Sequence, residues 1–195
     1  MTIVFDGSSN DATDDGDGNA STEFRVVITS GLASASGTQA QVSFRSGNAG
    51  VAGATPTITG AWIGQGAGAG STSFKGNQVQ LKFAGANTFS ITVGSGQTVT
   101  SDVVTLGETF DNTKNYIVSF RFADATNNAH ATASGATFTG VNSNFLGGTT
   151  LGDEGNTAPQ GGMTAQTSVL QFLRQIIITA AGGDTLGGAM QLLMM

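Results

Sequence analysis

The sequence contains no cysteine, so neither disulfide bonds nor cysteine-based zinc sites are available to the chain. Cations are scarce as well: seven lysines and arginines stand against thirteen acidic residues, and the formal net charge is −6. These few cations are scattered, whereas a nucleic-acid-binding surface needs clustered cations that displace counterions from phosphates. We therefore expect no binding to DNA or RNA.

Long apolar runs are also missing. No stretch of about 18 apolar residues exists that could span a membrane, and residues 1–6 lack the basic start and long apolar stretch of a secretory signal. Charged residues make up only 10% of the chain, against about a quarter in ordinary soluble domains, so the surface must be mainly neutral and polar. A virion protein assembled in the host cytoplasm fits these facts, and an extracellular protein is the alternative.

Glycine is abundant and proline is rare, with thirty and two residues respectively, which indicates many tight turns between short elements. Between the turns, apolar residues tend to recur at every second position, as in half-buried strands. The strand-like runs are 24–29, 41–45, 78–83, 89–93, 98–106, 116–122, 137–141 and 169–179. Because no amphipathic helix stands out, the pattern predicts an all-β, antiparallel β-sandwich of roughly eight to ten strands.

The chain divides into three predicted segments. Residues 1–23 form an N-terminal arm with an acidic, Gly/Asp-rich tether, 24–180 form the sandwich, and 181–195 form an apolar C-terminal tail. We expect residues 147–166, which hold Gly, Thr and Pro, to be a long loop.

Both ends of the chain are predicted to extend from the sandwich and dock on neighbours. Ile3 and Phe5 supply the apolar contacts at the N-terminus, and Leu192 and Leu193 supply them at the C-terminus. Addition of a terminal strand to a sheet edge is a common way to join subunits. The expected partners are therefore other virion proteins and further copies of this chain.

Several stretches of the middle region share a pattern with one known kind of domain. Residues 25–48 read as a strand pair ending in a Ser-Gly-Asn turn, 56–64 (PTITGAWIG) as the next strand, 90–106 as a Val-x-x-Gly-x-x-Val-x-Ser-Asp block, and 115–120 as a further strand. Together they resemble the jelly-roll accessory domain that precedes the catalytic domain in some SGNH/GDSL-type esterases. The resemblance covers about half of the chain. It implies a jelly roll of the carbohydrate-binding type, here without the catalytic half.

Glycan binding is one function that this resemblance implies. Sugar-binding sandwiches stack pyranose rings on exposed aromatic side chains and bond the hydroxyls with polar ones. Trp62 is the only tryptophan, and Arg45 and Asn48 lie at a strand end and in its turn. These three residues are the candidate ligand-binding set. The alternative role for Trp62 is core packing.

The acidic segment is a candidate calcium site. Oxygen-bearing side chains alternate around glycines there, and calcium takes six to eight oxygen ligands from such loops. The candidate ligands are Asp11, Thr13, Asp15 and Asp17. The last ligand of an EF-hand loop, a bidentate carboxylate, would be needed at Thr22, whereas Glu23 comes one residue later. A solvated acidic tether is the alternative, and we expect no other cofactor.

The sequence offers little for catalysis. Residues 176–185 (IIITAAGGDT) resemble the strand and nucleophile block of the same esterases, but Thr185 stands where their serine would be. The only histidine, His130, precedes this block, whereas the base of that family follows its nucleophile. We therefore predict a non-enzymatic structural component of a virus particle, such as a phage capsid decoration, head-spike or tail-associated protein. The alternative is an attachment module that recognises a cell-surface glycan.

Overall fold

The structure is a computed structural model. It describes residues 1–7, 13–14, 21–29, 31–45, 57–91, 97–123, 131–132, 140–147, 155, 157–159, 162–167 and 172–180. All regular secondary structure in these ranges is β-strand. No helix capable of crossing a bilayer occurs in these parts of the chain.

The described strands are two to nine residues long. In chain order they are β1 (Thr2–Asp6), β2 (Thr13–Asp14), β3 (Ser21–Ile28), β4 (Gln39–Arg45), β5 (Thr57–Gln65), β6 (Val79–Gln80), β7 (Phe89–Ser90), β8 (Thr98–Thr100), β9 (Val104–Thr105), β10 (Tyr116–Phe122), β11 (Ala131–Thr132), β12 (Val141–Gly147), β13 (Thr164–Thr167) and β14 (Leu173–Thr179).

Two antiparallel sheets pack together. The five-stranded sheet has the order β1-β14-β4, with β8 and β9 both pairing with the far side of β4. The seven-stranded sheet has the order β13-β12-β3-β10-β5, with β6 and β7 both pairing with β5. A separate short pair joins β2 and β11. The prediction of an all-β, antiparallel sandwich is therefore confirmed, and the jelly-roll connectivity stays a prediction.

Phenylalanine rings join the two sheets. Phe44 on β4 meets Phe120 on β10 edge to face, with ring centroids 5.5 Å apart, and Phe120 in turn stacks on Phe24 of β3 at 5.2 Å. Such aromatic pairs contribute about 0.5–1.5 kcal/mol each beyond the burial of their area. Phe122 and Phe172 continue the cluster with a centroid separation of 5.4 Å. The alternating residues of the sequence thus form the inside of the sandwich, as predicted.

The N-terminal strand belongs to the sandwich. β1 pairs with β14 over Thr2–Asp6, and its Val4 and Phe5 side chains are buried in the main core. The prediction that Phe5 belongs to an arm extending away from the sandwich is therefore wrong. The physical reason is that Phe5 gains more by packing among the apolar residues of β14 than by staying in water. Ile3 points outward and is 47% exposed.

Other predicted strands differ in length. Within 78–83 only Val79–Gln80 pairs as a strand, although Leu81 and Phe83 are buried as expected. The run 98–106 is divided into β8 and β9, which pair with opposite ends of β4. The loop predicted for 147–166 contains most of β13. In these places the length of a strand is set by the strand that pairs with it through hydrogen bonds, and the apolar pattern does not set it.

Candidate functional site

The side of the seven-stranded sheet that faces away from the core carries an unusual row of polar residues. Arg25 on β3, Ser119 on β10 and Trp62 on β5 stand directly opposite one another across the strands. Because successive side chains of a strand point to opposite faces, these residues face away from Phe24 and Phe120, which are in the core. We call the set Glu23, Arg25, Trp62, Gln78 and Ser119 the outer polar layer.

Three members of this layer are fully shielded from water. Glu23, Arg25 and Ser119 have no exposed surface, although the outer face of an antiparallel sheet is commonly solvated. Two parts of the chain contact the layer: the 66–77 loop that follows β5, and residues 155 and 157–159, which we call the covering segment. The sheet is therefore covered on both faces, by the five-stranded sheet on one side and by these two parts of the chain on the other.

Arg25 connects the sheet to both covering parts. Its Nε donates to Glu23 Oε1 at 2.7 Å, and its Nη1 donates to the carbonyl oxygens of Thr72 at 2.9 Å and Thr157 at 3.3 Å. The guanidinium carbon lies 5.0 Å from the centre of the Phe74 ring, within cation–π range. A planar guanidinium suits this position because its fixed donors reach several acceptors at once.

The covering parts are also bonded to each other and to Gln78. The Phe74 amide donates to the Thr157 carbonyl at 2.6 Å, and Gln78 Nε2 donates to the Gly155 carbonyl at 2.8 Å. The Thr157 carbonyl thus accepts from both Phe74 and Arg25. These bonds hold the covering segment at a fixed distance above the sheet.

Trp62 is a packing surface for the chain itself. It is half-buried and packs against a small apolar cluster of Val27, Phe74 and Ile117. A Cβ atom placed on Gly155 would lie 2.8 Å from two atoms of the indole, so the backbone at this position rests directly on the ring. Only glycine permits this approach without a shift. The alternative of a packing role for Trp62 is therefore realised, in a cluster outside the main core.

Two oxygen atoms of the layer have no hydrogen-bond partner in the described structure. They are Glu23 Oε2 and Gln78 Oε1, and both are buried. Buried acceptors of this kind are commonly satisfied by an ordered water. No group of three or more acidic or histidine side chains that could hold a metal ion comes together within the described ranges. The donors of the layer bond to the Glu23 carboxylate and to backbone carbonyls of the chain itself. The layer therefore braces the covering parts against the sheet.

The predicted ligand-binding residues do not form one site. Arg45 is half-buried at the end of β4, where its amide donates to the Phe172 carbonyl at 2.7 Å. Trp62 lies in the other sheet and faces away from β4. Asn48 lies outside the described residues. The structure therefore separates Arg45 from Trp62.

Most of the other predicted site residues fall outside the described part of the chain. Thr13 lies in β2, where it opposes Thr132 of β11. The remaining ones, outside the described residues, are Asp11, Asp15, Asp17, His130, Thr185, Leu192 and Leu193. The calcium site and the apolar C-terminal tail stay predictions.

A small cleft lies between β5 and the segment that precedes β10. Gly64, Gln65, Asn77, Leu106, Gly107, Glu108 and Tyr116 line it. Its cavity volume is about 10 Å³, which is room for one water and not for a sugar ring. At its rim the Lys75 ammonium donates to Glu108 Oε1 at 2.7 Å and lowers the pKa of that carboxyl below its ordinary value.

The sequence does carry a signal for the outer polar layer that the strand prediction missed. Glu23 and Arg25 have opposite charges two positions apart, so they share one face of the run 22–29, whose other residues are apolar or β-branched. A charge pair within such a run points to a covered ion pair, because isolated charges are costly to bury. Gln78 gives no comparable signal, since its partners lie 77 and 79 positions away.

Comparison with models of known protein families finds no match, and no curated protein matches the chain. What the chain does must be inferred from its own residues.

Proposed function

We propose that the chain is a non-enzymatic structural component of a virus particle, of the kind found as a phage capsid decoration, head-spike or tail-associated protein. The observation that supports this most is how the outer polar layer is used. Arg25 donates to Glu23 and to two backbone carbonyls of the covering parts. Catalytic and ligand-binding clusters direct their polar groups into a cavity or cleft, whereas these groups brace the chain against itself.

The composition supports the same proposal. The chain has no cysteine, and only 10% of its residues are charged. A neutral polar surface offers few charge pairs to competing ions, so contacts made by it depend on shape and hydrogen bonds. Attachment to a particle should therefore survive about 1 M salt, where the Debye length is only about 3 Å.

The composition of purified particles tests the proposal. Particles released from cells that carry the gene, banded on a density gradient and washed in high salt, are expected to contain the chain at a fixed ratio to the main shell protein. Quantitative mass spectrometry gives that ratio. Recovery of the chain only from the soluble lysate, with particles free of it, would contradict the proposal.

A glycan-binding attachment module is the second candidate. The observation that favours it is the position of Trp62, which is partly exposed and stands opposite Gln80 of β6, so that an aromatic ring and an amide lie side by side. A glycan array probed with the folded wild-type chain tests this. Binding that is lost in Trp62→Ala and retained in Arg174→Ala would support it. Absence of binding to every glycan of a broad array would count against it.

A further inference from the structure

The sheet edges of this molecule are protected to different degrees. A free edge is a template for another strand, and natural proteins shield edges with short strands, charges, bulges or covering loops. The edge at β1 is shielded in three ways: β1 has a bulge between Ile3 and Phe5, it ends in Asp6, and the Val4 carbonyl accepts a hydrogen bond from the Ala33 amide at 2.8 Å. The strands β6, β7, β8 and β9 have only two or three residues each.

β13 is different from these edges. It is the last strand of the seven-stranded sheet, and within the described ranges only β12 pairs with it. Its sequence, Thr-Ala-Gln-Thr, contains no charge and no proline, and its register with β12 has no bulge. Among the described residues, shortness is the one protective device at this edge.

The first two side chains of β13 are also exposed. Thr164 and Ala165 are adjacent, so their side chains point to opposite faces of the sheet, and both are exposed. Neither the five-stranded sheet nor the covering segment shields this strand at these two positions. At these two positions β13 is solvated on both faces, and no described strand pairs along its outer edge, where an added strand can therefore form main-chain hydrogen bonds.

We propose that β13 pairs antiparallel with β13 of a second copy of this chain, so that two seven-stranded sheets become continuous across a two-fold axis. Neutrality supports a second copy as the occupant, because a strand without charge meets its own copy without like-charge repulsion. The contact is isologous and closed, which is the commonest symmetry of soluble oligomers.

The geometry of the two-fold axis restricts the register, and we centre the pairing on Ala165 because the paired residues then lie within one described stretch. An axis perpendicular to a sheet leaves each side chain on its own face, so a residue must oppose its own copy or one an even number of positions away. Centred on Ala165, the pairing sets the two alanines opposite each other and Thr164 opposite Gln166 of the second copy. All residues from Met163 to Thr167 then take part, and they lie within one described stretch.

Cysteine cross-linking tests this register, because the natural chain has no cysteine to interfere. In Ala165→Cys the two introduced residues would have Cα atoms about 5 Å apart, within the range of a disulfide. In the matched control Thr164→Cys they would be roughly 8 Å apart, beyond that range. We expect a disulfide-linked dimer from Ala165→Cys under mild oxidation and at least tenfold less from Thr164→Cys.

Sedimentation of the unmodified full chain provides a second readout. We expect the mass to rise toward that of a dimer and stop there as the concentration increases to about 1 mM, where a contact with a millimolar dissociation constant is still substantially populated. Ala165→Lys, at an exposed position, should weaken self-association at least tenfold while circular dichroism and melting temperature stay unchanged, because it sets two cations opposite each other.

Three results would overturn the proposal. They are a chain that stays monomeric throughout this range, equal cross-linking of the two cysteine variants, and a mass that grows without limit, as in head-to-tail addition of β13 to another edge. The inference goes beyond the proposed function, because it depends on the behaviour of the purified chain, whereas the particle proposal depends on the composition of particles.

Discussion

At the scale of single residues, Arg25 decides how the outer polar layer is held. It forms an ion pair with Glu23 at 2.7 Å, and neither side chain has any exposed surface. Removing two charges from water costs several kcal/mol per ion, and their attraction and added hydrogen bonds offset that cost only in part. The pair therefore contributes little net stability. Its role is to fix where the 66–77 loop and the covering segment lie.

Replacing Arg25 with Met should destabilise the chain by about 3–5 kcal/mol, because the Glu23 carboxylate is left buried without its partner. The double variant Glu23→Leu/Arg25→Met should recover a large part of the loss. Urea unfolding followed by circular dichroism measures both. Lys75→Met is the matched control: it breaks the exposed Lys75–Glu108 pair, which water screens, and should destabilise the chain far less than Arg25→Met. Equal costs in the two single variants would contradict this account of the layer.

Two exposed carboxyl groups predict how stability changes in acid. The hydrogen bond from Lys75 lowers the pKa of Glu108, and the hydrogen bonds from the Thr113 hydroxyl and amide lower the pKa of Asp111. A carboxyl with a lowered native pKa binds protons less in the folded state, so its contribution is present above the ordinary pKa near 4 and is lost as the pH falls through the native value.

The double variant Glu108→Gln/Asp111→Asn should therefore melt at a lower temperature than the wild type at pH 6. That difference should shrink toward zero as the pH falls to about 2.5, below the ordinary carboxyl pKa values. Scanning calorimetry across this range measures the difference. A difference in melting temperature of the same size at every pH would show that the charges of these carboxyl groups do not stabilise the fold.

At the scale of elements, the covering segment depends on Gly155. Its backbone lies against the Trp62 indole, and an added Cβ would come within 2.8 Å of the ring. Gly155→Ala should cost about 1–3 kcal/mol through overpacking. Because Trp62 is the only tryptophan, its fluorescence should shift to longer wavelength as the segment is displaced. In Gly162→Ala no atom lies within 4 Å of the added Cβ, so this control should leave both readouts unchanged.

β1 is a strand of the sheet, and substitutions of Phe5 and Ile3 test whether it packs there or forms a free arm. Phe5→Ala should destabilise the chain by about 3 kcal/mol, because Phe5 is buried in the main core. Ile3→Ala, at a position that is 47% exposed, should change stability by less than about 0.5 kcal/mol. Chemical denaturation compares them. If Phe5→Ala is as mild as Ile3→Ala, then β1 does not pack in the core.

The strands that the sequence predicts well are those whose own residues bury an apolar face. β4, β10 and β14 were expected from alternation or a β-branched run, and all three are present. β13 could not be predicted this way, because Thr164 and Ala165 are exposed and its pairing is set by β12. The acidic tether is predicted to reach residue 23, yet β3 begins at Ser21, because Ser21 and Glu23 pair with Gly147 and Leu146 of β12.

At the scale of the whole molecule, the sequence indicates the two sheets but not the second covering of the seven-stranded sheet. That covering depends on contacts such as Arg25 with Thr157, which are 132 positions apart. No local pattern reports a contact of this range. The same limit explains why Trp62 was a candidate sugar platform: its sequence neighbours do not show that Gly155 rests on it.

Two features of the molecule support the proposed role as a component of a particle. The outer polar layer holds two parts of the chain against the sheet through hydrogen bonds, and no described strand pairs with the outer edge of β13, which can offer its backbone groups to a neighbour.

The most direct test of this account is a cryo-electron microscopy comparison of particles made with and without the gene for this chain. The account predicts difference density on the particle surface or tail that fits two packed antiparallel sheets at symmetry-related positions. Superimposable maps, with no density lost on removal of the gene, would contradict it.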